Sequence, residues 1–175
     1  MERALLKGME IPAKHSHFTR TALLVWVLWL GIDFFAYAGL FAGQFSTPTP
    51  FLLRSDELFA RIPLGYAAFL IYVATTVWLI RALGIASPLR GAMVAGCFGA
   101  AITIAGNLGV LSVSTIGLSL AGVWTIVQVV EFTVAGYASV WVDGEPSPWR
   151  AGRWVCGITI ALIAAGIMVQ NLRGF

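Results

Sequence analysis

Residues 117–142 read GLSLAGVWTIVQVVEFTVAGYASVWV, and this apolar stretch decides the fold. A helix rises about 1.5 Å per residue, so a stretch of this length matches a hydrocarbon core of about 30 Å. One carboxyl group, that of Glu131, lies near its middle. An ionisable side chain at that depth costs several kcal/mol unless it is protonated, paired or hydrated. The stretch therefore predicts a membrane-spanning helix that carries an acid at its centre.

The whole chain has the composition of a membrane protein. Of its 175 residues, 59% are hydrophobic and 11% are charged, whereas soluble domains carry about 25% charged residues. One compact membrane domain is therefore expected, with the lipid bilayer as its partner. The net charge of +3 is small and is spread over the termini and loops, so no nucleic-acid binding is expected.

Four further apolar runs are long enough to span a bilayer, so the sequence predicts an all-α, polytopic transmembrane bundle of five helices. The predicted spans are 21–43, 62–83, 91–111, 117–142 and 153–172. Residues 21–175 are expected to form a single transmembrane domain. The first run is not expected to be a signal peptide, because it is longer than the apolar core of such a segment and contains Asp33.

One or two short interfacial helices are also predicted. Residues 1–20 form a basic N-terminal segment that is either an interfacial helix or a solvated tail. Between the first two spans, apolar residues around Arg54, Asp56 and Glu57 predict a second surface helix.

The basic residues predict how the spans are oriented. With a cytoplasmic N-terminus, eight Lys and Arg residues lie on the inner side and three on the outer side, as the positive-inside rule requires. The inner residues are Arg3, Lys7, Lys14, Arg20, Arg81, Arg90, Arg150 and Arg153, and the outer ones are Arg54, Arg61 and Arg173. We therefore expect a multi-pass protein with its C-terminus outside.

Polar side chains at similar depth in four spans predict a proton or cation site. They are Asp33, Tyr72, Thr103, Gln128 and Glu131. Gln128 and Glu131 are three residues apart and share a helix face. The basic residues lie near the span ends, so the two acids must be protonated, share a proton, bind an external cation or face water. In the alternative interpretation, each acid stays protonated and donates one interhelical hydrogen bond.

Small residues on the third and fifth spans predict close helix packing, because helices in lipid associate through side chains that let the backbones approach. These residues are Ala92, Gly96, Gly99, Thr103 and Gly106 on the third span, and Gly157, Ala161 and Ala165 on the fifth. The packing is expected either within one chain or between copies, so a homo-oligomer or a partner membrane subunit is predicted. A ligand passage along the third span is the alternative. Asn107 is expected to bond a neighbouring helix or to bind a ligand.

Several chemistries lack the residues they need. His15 and His17 lie outside the spans, so haem has no imidazole ligand in the bilayer. No lysine follows Lys14, which excludes a retinal Schiff base in the bundle. The sequence has no CxxC, HExxH or GxSxG motif and no phosphate-binding loop. No cofactor, catalytic residue or enzymatic activity is therefore predicted. A metal at the acids, and a lipid enzyme that uses a carboxylate as general base, stay open.

Three short motifs carry a resemblance to a known family. Trp29-Leu30-Gly31 with Asp33, then Arg90-Gly91-Ala92, then Asn107-Leu108 resemble motifs of a family of uncharacterised small bacterial inner-membrane proteins. Here Asp33 follows the Trp-Leu-Gly triplet instead of preceding it, and a later family Asp has no counterpart at matching spacing. The resemblance covers the first three spans. It implies a bacterial inner membrane and brings no activity with it.

Two functions are compatible with the sequence. The first is a small transporter, linked to protons or cations, that uses Asp33 and Glu131. The second is a non-catalytic accessory or assembly subunit of a larger membrane complex. A transporter predicts a water-accessible path to one of the acids, whereas an accessory subunit predicts dry, hydrogen-bonded acids and a broad apolar surface.

Overall fold

The computed structural model describes residues 17–45 and 55–174, and within these ranges the chain is helical and has no strand. Five helices are long and apolar enough to cross a membrane, which confirms the predicted fold class. The first helix, α1, spans Phe18–Phe34 and continues as a π-helix over Phe35–Leu40. The others are α2 (Ser55–Ala82), α3 (Pro88–Val113), α4 (Leu118–Gly144) and α5 (Pro148–Arg173). A short helix, Ala42–Phe45, follows the π-helix.

The predicted interfacial helices fall largely outside the described residues. The basic segment 1–20 is described only from residue 17, and the segment between the first two spans only from residue 55. From Ser55 onward the chain is already part of α2, which continues through Pro63 to Ala82. This part of the second predicted surface helix is therefore continuous with the second span.

Helix α4 is the centre of the bundle, and it contacts α1, α2 and α3. Its residue Phe132 is fully buried and meets one aromatic ring from each of these helices. Ring centroids are 5.0 Å apart for Trp29, 5.5 Å for Tyr72 and 5.9 Å for Phe98. Edge-to-face and tilted ring pairs at these distances add to the stabilisation from burial. The most informative stretch of sequence is thus also the hub of the packing.

Helices α3 and α4 form a hairpin in which backbone touches backbone. A Cβ atom on Gly91 would lie only 2.6 Å from the carbonyl oxygen of Gly136, and one on Gly96 would lie 2.6 Å from Oγ1 of Thr133. A Cβ on Gly99 would overlap the ring of Phe132. The small residues Gly96 and Gly99 therefore let the two helices approach closely.

Helix α5 packs alongside α1, and glycines again mark the contact. A Cβ on Gly31 would lie 3.0 Å from Cγ2 of Thr159, and one on Gly39 would lie 3.0 Å from Cα of Gly166. By contrast, Gly157 and Ala161 are exposed. Their predicted packing is not made within the described chain, so packing between copies stays a prediction.

An ion pair ties α1, α2 and α4 together at the end of the bundle that carries Arg20, Arg81 and Arg150, which we call the basic end. Arg81 donates two hydrogen bonds to the Asp143 carboxylate, from Nε at 2.8 Å and from Nη2 at 2.7 Å. The hydroxyl of Thr21, a fully buried residue, lies 2.6 Å from the same carboxylate. Bidentate guanidinium–carboxylate pairs are among the stronger polar contacts in proteins.

Replacing Asp143 with alanine is expected to destabilise the bundle by about 2 kcal/mol, because Arg81 loses both hydrogen bonds to the carboxylate and Thr21 loses its contact with α4. The matched control is Glu145→Ala. Glu145 has a loose contact with Arg150 at 3.8 Å and accepts one long hydrogen bond from the Ser147 amide at 3.4 Å, so its loss should cost less than the loss of the bidentate Asp143. Denaturant unfolding in mixed micelles measures both changes. Equal losses in the two variants would contradict the role given to Asp143.

Candidate functional site

The register of α1 against α4 determines which midplane residues meet. At the basic end, Thr21 bonds to Asp143 at 2.6 Å. Towards the other end, Gln44 donates from Nε2 to Oγ of Ser119 at 3.3 Å. As residue numbers rise along α1, those of its partners on α4 fall. The segment from α1 to the short helix Ala42–Phe45 therefore runs antiparallel to α4.

This register brings the two predicted acids together. Trp29 and Phe132 are in edge-to-face contact halfway along the helices. Asp33 lies one turn beyond Trp29, and Glu131 directly precedes Phe132. The two carboxyl groups are close enough to interact electrostatically, and Tyr37 lies within range of both.

Glu131 is enclosed more completely than Asp33. Its side chain is 1% exposed, and neither carboxyl oxygen has a hydrogen-bond partner among the described residues. Asp33 is only partly buried. Buried polar groups nearly always have partners, so two orphaned oxygens on one side chain call for an explanation. The single interhelical hydrogen bond that the sequence offered as an alternative for Glu131 is not formed within the described chain.

A π-helix begins two residues after the first acid, Asp33. It spans Phe35–Leu40, and the amide of Phe41 donates to the carbonyl of Ala36 at 2.8 Å, which is an i to i+5 bond. Such segments are rare and are often found at functional sites. This one contains Tyr37, which lies near both acids. The sequence places Tyr37 four residues after Asp33, on the same face, but gives no sign of the π-helix because the residues are those of an ordinary apolar helix.

The other predicted site residues fall into two groups. Tyr72 belongs to the aromatic cluster around Phe132, and Gln128 is partly buried one turn from Glu131. Thr103 is buried on α3, and its hydroxyl has no partner among the described residues. These three lie in the middle of the bundle with the acids.

Asn107 lies apart from the acids and has a structural contact. Its side-chain amide donates to Oγ1 of Thr125 at 2.8 Å and to the carbonyl of Ala121 at 3.2 Å. Both partners are on α4, towards its first turns. The bond to a neighbouring helix, one of the two roles expected for Asn107, is therefore formed.

The groups available for chemistry at the site are two carboxyl groups and the phenol of Tyr37. Within residues 17–45 and 55–174, no group of three His, Cys, Asp or Glu residues is placed to hold a metal ion. Two carboxyl groups with a phenol nearby can hold a proton. They can also contribute oxygen ligands to a hard cation, which prefers oxygen donors.

No family model, curated protein or solved structure matches this chain. What the site does must therefore be argued from its own residues.

Proposed function

We propose that the protein is a small proton- or cation-linked membrane transporter in which Asp33 and Glu131 bind the coupling ion. The observation that carries the proposal is the carboxyl group of Glu131, which is 1% exposed and has no hydrogen-bond partner among the described residues. An unpaired acid at this depth is costly, and intramembrane acids commonly mark ion pathways. A second acid, Asp33, within electrostatic range of Glu131 supports a shared ion over a purely structural role.

The two acids are suited to act in sequence. Asp33 is partly exposed whereas Glu131 is buried, so we assign Asp33 as the outer and Glu131 as the inner of the two ion-binding groups. Tyr37 lies near both groups and can take part in ion transfer between them. The π-helix allows a local change of conformation at the site. Its conversion to a regular α-helix would rotate Tyr37 relative to Asp33. In the orientation favoured by the basic residues, the N-terminus is cytoplasmic and the C-terminus is outside. The resemblance in the first three spans implies a bacterial inner membrane.

Replacing Glu131 with glutamine is expected to weaken the ion response, because an amide carries no negative charge. It should preserve the fold, because the two side chains have nearly the same shape. A ligand that binds only the folded state raises stability by mass action. Wild-type protein in nanodiscs should therefore melt at higher temperature as pH is lowered or as Na⁺ or K⁺ is raised. In Glu131→Gln the apparent ion affinity should fall about tenfold or more, which corresponds to about 1.4 kcal/mol.

The control is Ser139→Ala, which changes another buried polar residue of α4. The Ser139 hydroxyl bonds to the carbonyl of Ala135 in its own helix, so this variant should keep the wild-type ion response. Asp33→Asn should weaken the response as Glu131→Gln does. A wild-type protein indifferent to pH and to both cations would refute the ion site. It would favour the alternative, an accessory subunit that presents its exposed Gly157 and Ala161 to another membrane protein.

A further inference from the structure

An apolar groove lies between α4 and α5. It has a volume of about 390 Å³, and α1 forms its floor through Leu28 and Ile32. Its walls include Tyr137 and Trp141 from α4, and Trp154 and Ile158 from α5. The residues that line it are aliphatic or aromatic, and none is charged.

The groove has the length of an acyl chain within one leaflet. On α5 its lining extends from Trp154 to Leu162, which is about 12 Å at 1.5 Å per residue. One leaflet contributes about half of a hydrocarbon core of roughly 30 Å. The groove is therefore long enough to hold one acyl chain from the membrane interface nearly to the midplane.

A second cavity, of about 560 Å³, adjoins the groove at the basic end. It is lined by Arg150, Arg153, Trp154 and Gly157, so Trp154 belongs to both. Arg153 makes no ion pair with any residue that the structure describes, and Arg150 has only the loose contact with Glu145 at 3.8 Å. Two guanidinium groups therefore lie at the level of the lipid head groups. Most of their hydrogen-bond donors have no partner among the described residues. An arginine side chain can donate two parallel hydrogen bonds to two oxygens of one phosphate group.

We propose that this surface is a binding site for an anionic phospholipid, with its phosphate at Arg150 and Arg153 and one acyl chain in the groove. The charge of the arginines selects an anionic head group over a zwitterionic one, because each basic residue near the membrane surface adds to the attraction for anionic lipid. The exposed Trp149 and Trp154 lie at the same level as the two arginines. Tryptophan is enriched at the interface between membrane and water. The site is separate from the two midplane acids and does not depend on the ion-binding proposal.

The test compares lipids on the full-length protein. Native mass spectrometry and thermal unfolding would be followed while long-chain phosphatidylglycerol, long-chain phosphatidylcholine, short-chain phosphatidylglycerol or inorganic phosphate is added. Wild-type protein is expected to prefer long-chain phosphatidylglycerol over all three. The double change Arg150→Gln and Arg153→Gln should weaken that binding about tenfold.

The matched control is Arg90→Gln, which removes an exposed arginine at the basic end but on α3, away from the groove. It should leave the lipid preference unchanged. Equal binding of both long-chain lipids to wild type, or an unchanged preference in the double variant, would overturn the proposal. Inorganic phosphate binding as well as the lipid would reduce the site to an anion site. A protein that dimerises through the groove and retains no lipid would assign the surface to a second copy.

Discussion

Replacing Gly136 with leucine is expected to destabilise the bundle by about 3 kcal/mol or more. A Cβ at this position overlaps both the carbonyl oxygen of Gly91 and the Cβ of Ala95. One of the obstacles is backbone, which no change of rotamer can move. Because α3 and α4 meet along this line, the whole hairpin must separate to admit a side chain.

The control for this change lies on the same helix. A Cβ on Gly122 of α4 would meet no neighbouring heavy atom within 4 Å, so Gly122→Leu should be neutral or slightly stabilising, because leucine favours the helix over glycine. Unfolding of both variants in mixed micelles, followed by circular dichroism, gives the comparison. If Gly136→Leu unfolds at the same denaturant concentration as Gly122→Leu, the close packing of α3 on α4 is not a main source of stability.

Replacing Glu131 with leucine is expected to increase stability by about 1–3 kcal/mol, because that is the typical cost of a buried polar group without a partner. The two side chains have similar volumes, and the surroundings of Glu131 include the buried Val127 and Ala135. The same variant should lose the ion response completely. A gain in stability with a loss of function is the usual pattern for a residue retained for its role rather than for the fold.

A loss of stability in Glu131→Leu would contradict this expectation, because it would mean that the carboxyl group is held by a stabilising contact. Thermal unfolding in nanodiscs without added cations measures the difference from wild type. Thr159→Val is a useful comparison, since Thr159 is buried but its hydroxyl bonds to the carbonyl of Val27 at 3.3 Å. Removing that paired hydroxyl should not raise stability.

The number and kind of helices could be predicted from the sequence because length and apolar composition alone define a membrane span. The faces that these helices bury were harder to predict. In α5, Gly157 and Ala161 are four residues apart, while the contact with α1 uses Thr159 and Gly166. A helix that is apolar on all sides carries no polar face to identify its exposed surface. From the sequence, either Gly157 and Ala161 or Thr159 and Gly166 could therefore have formed the face of α5 that packs on the bundle.

The candidate site could also be predicted only in part, and for the same physical reason. Asp33 and Glu131 stand out in the sequence because an acid is rare and costly at the centre of a span. Their common depth follows from counting along two antiparallel helices. The π-helix at Phe35–Leu40 depends on one additional residue per turn, and apolar side chains do not encode that difference.

The contacts of α1 with α4 and α5 also govern how the chain can be assembled. The ribosome makes α1 before α4 and α5, which carry its partners Phe132 and Thr159. Until α2 is made, the nascent α1 stands in the translocon or in lipid as a single span, and Asp33 gains Glu131 as a neighbour only when α4 follows. An aspartate at the centre of a lone span opposes insertion by roughly 2.5–3.5 kcal/mol, which the neighbouring apolar residues must outweigh. The acid therefore sets a lower limit on how hydrophobic the first span has to be.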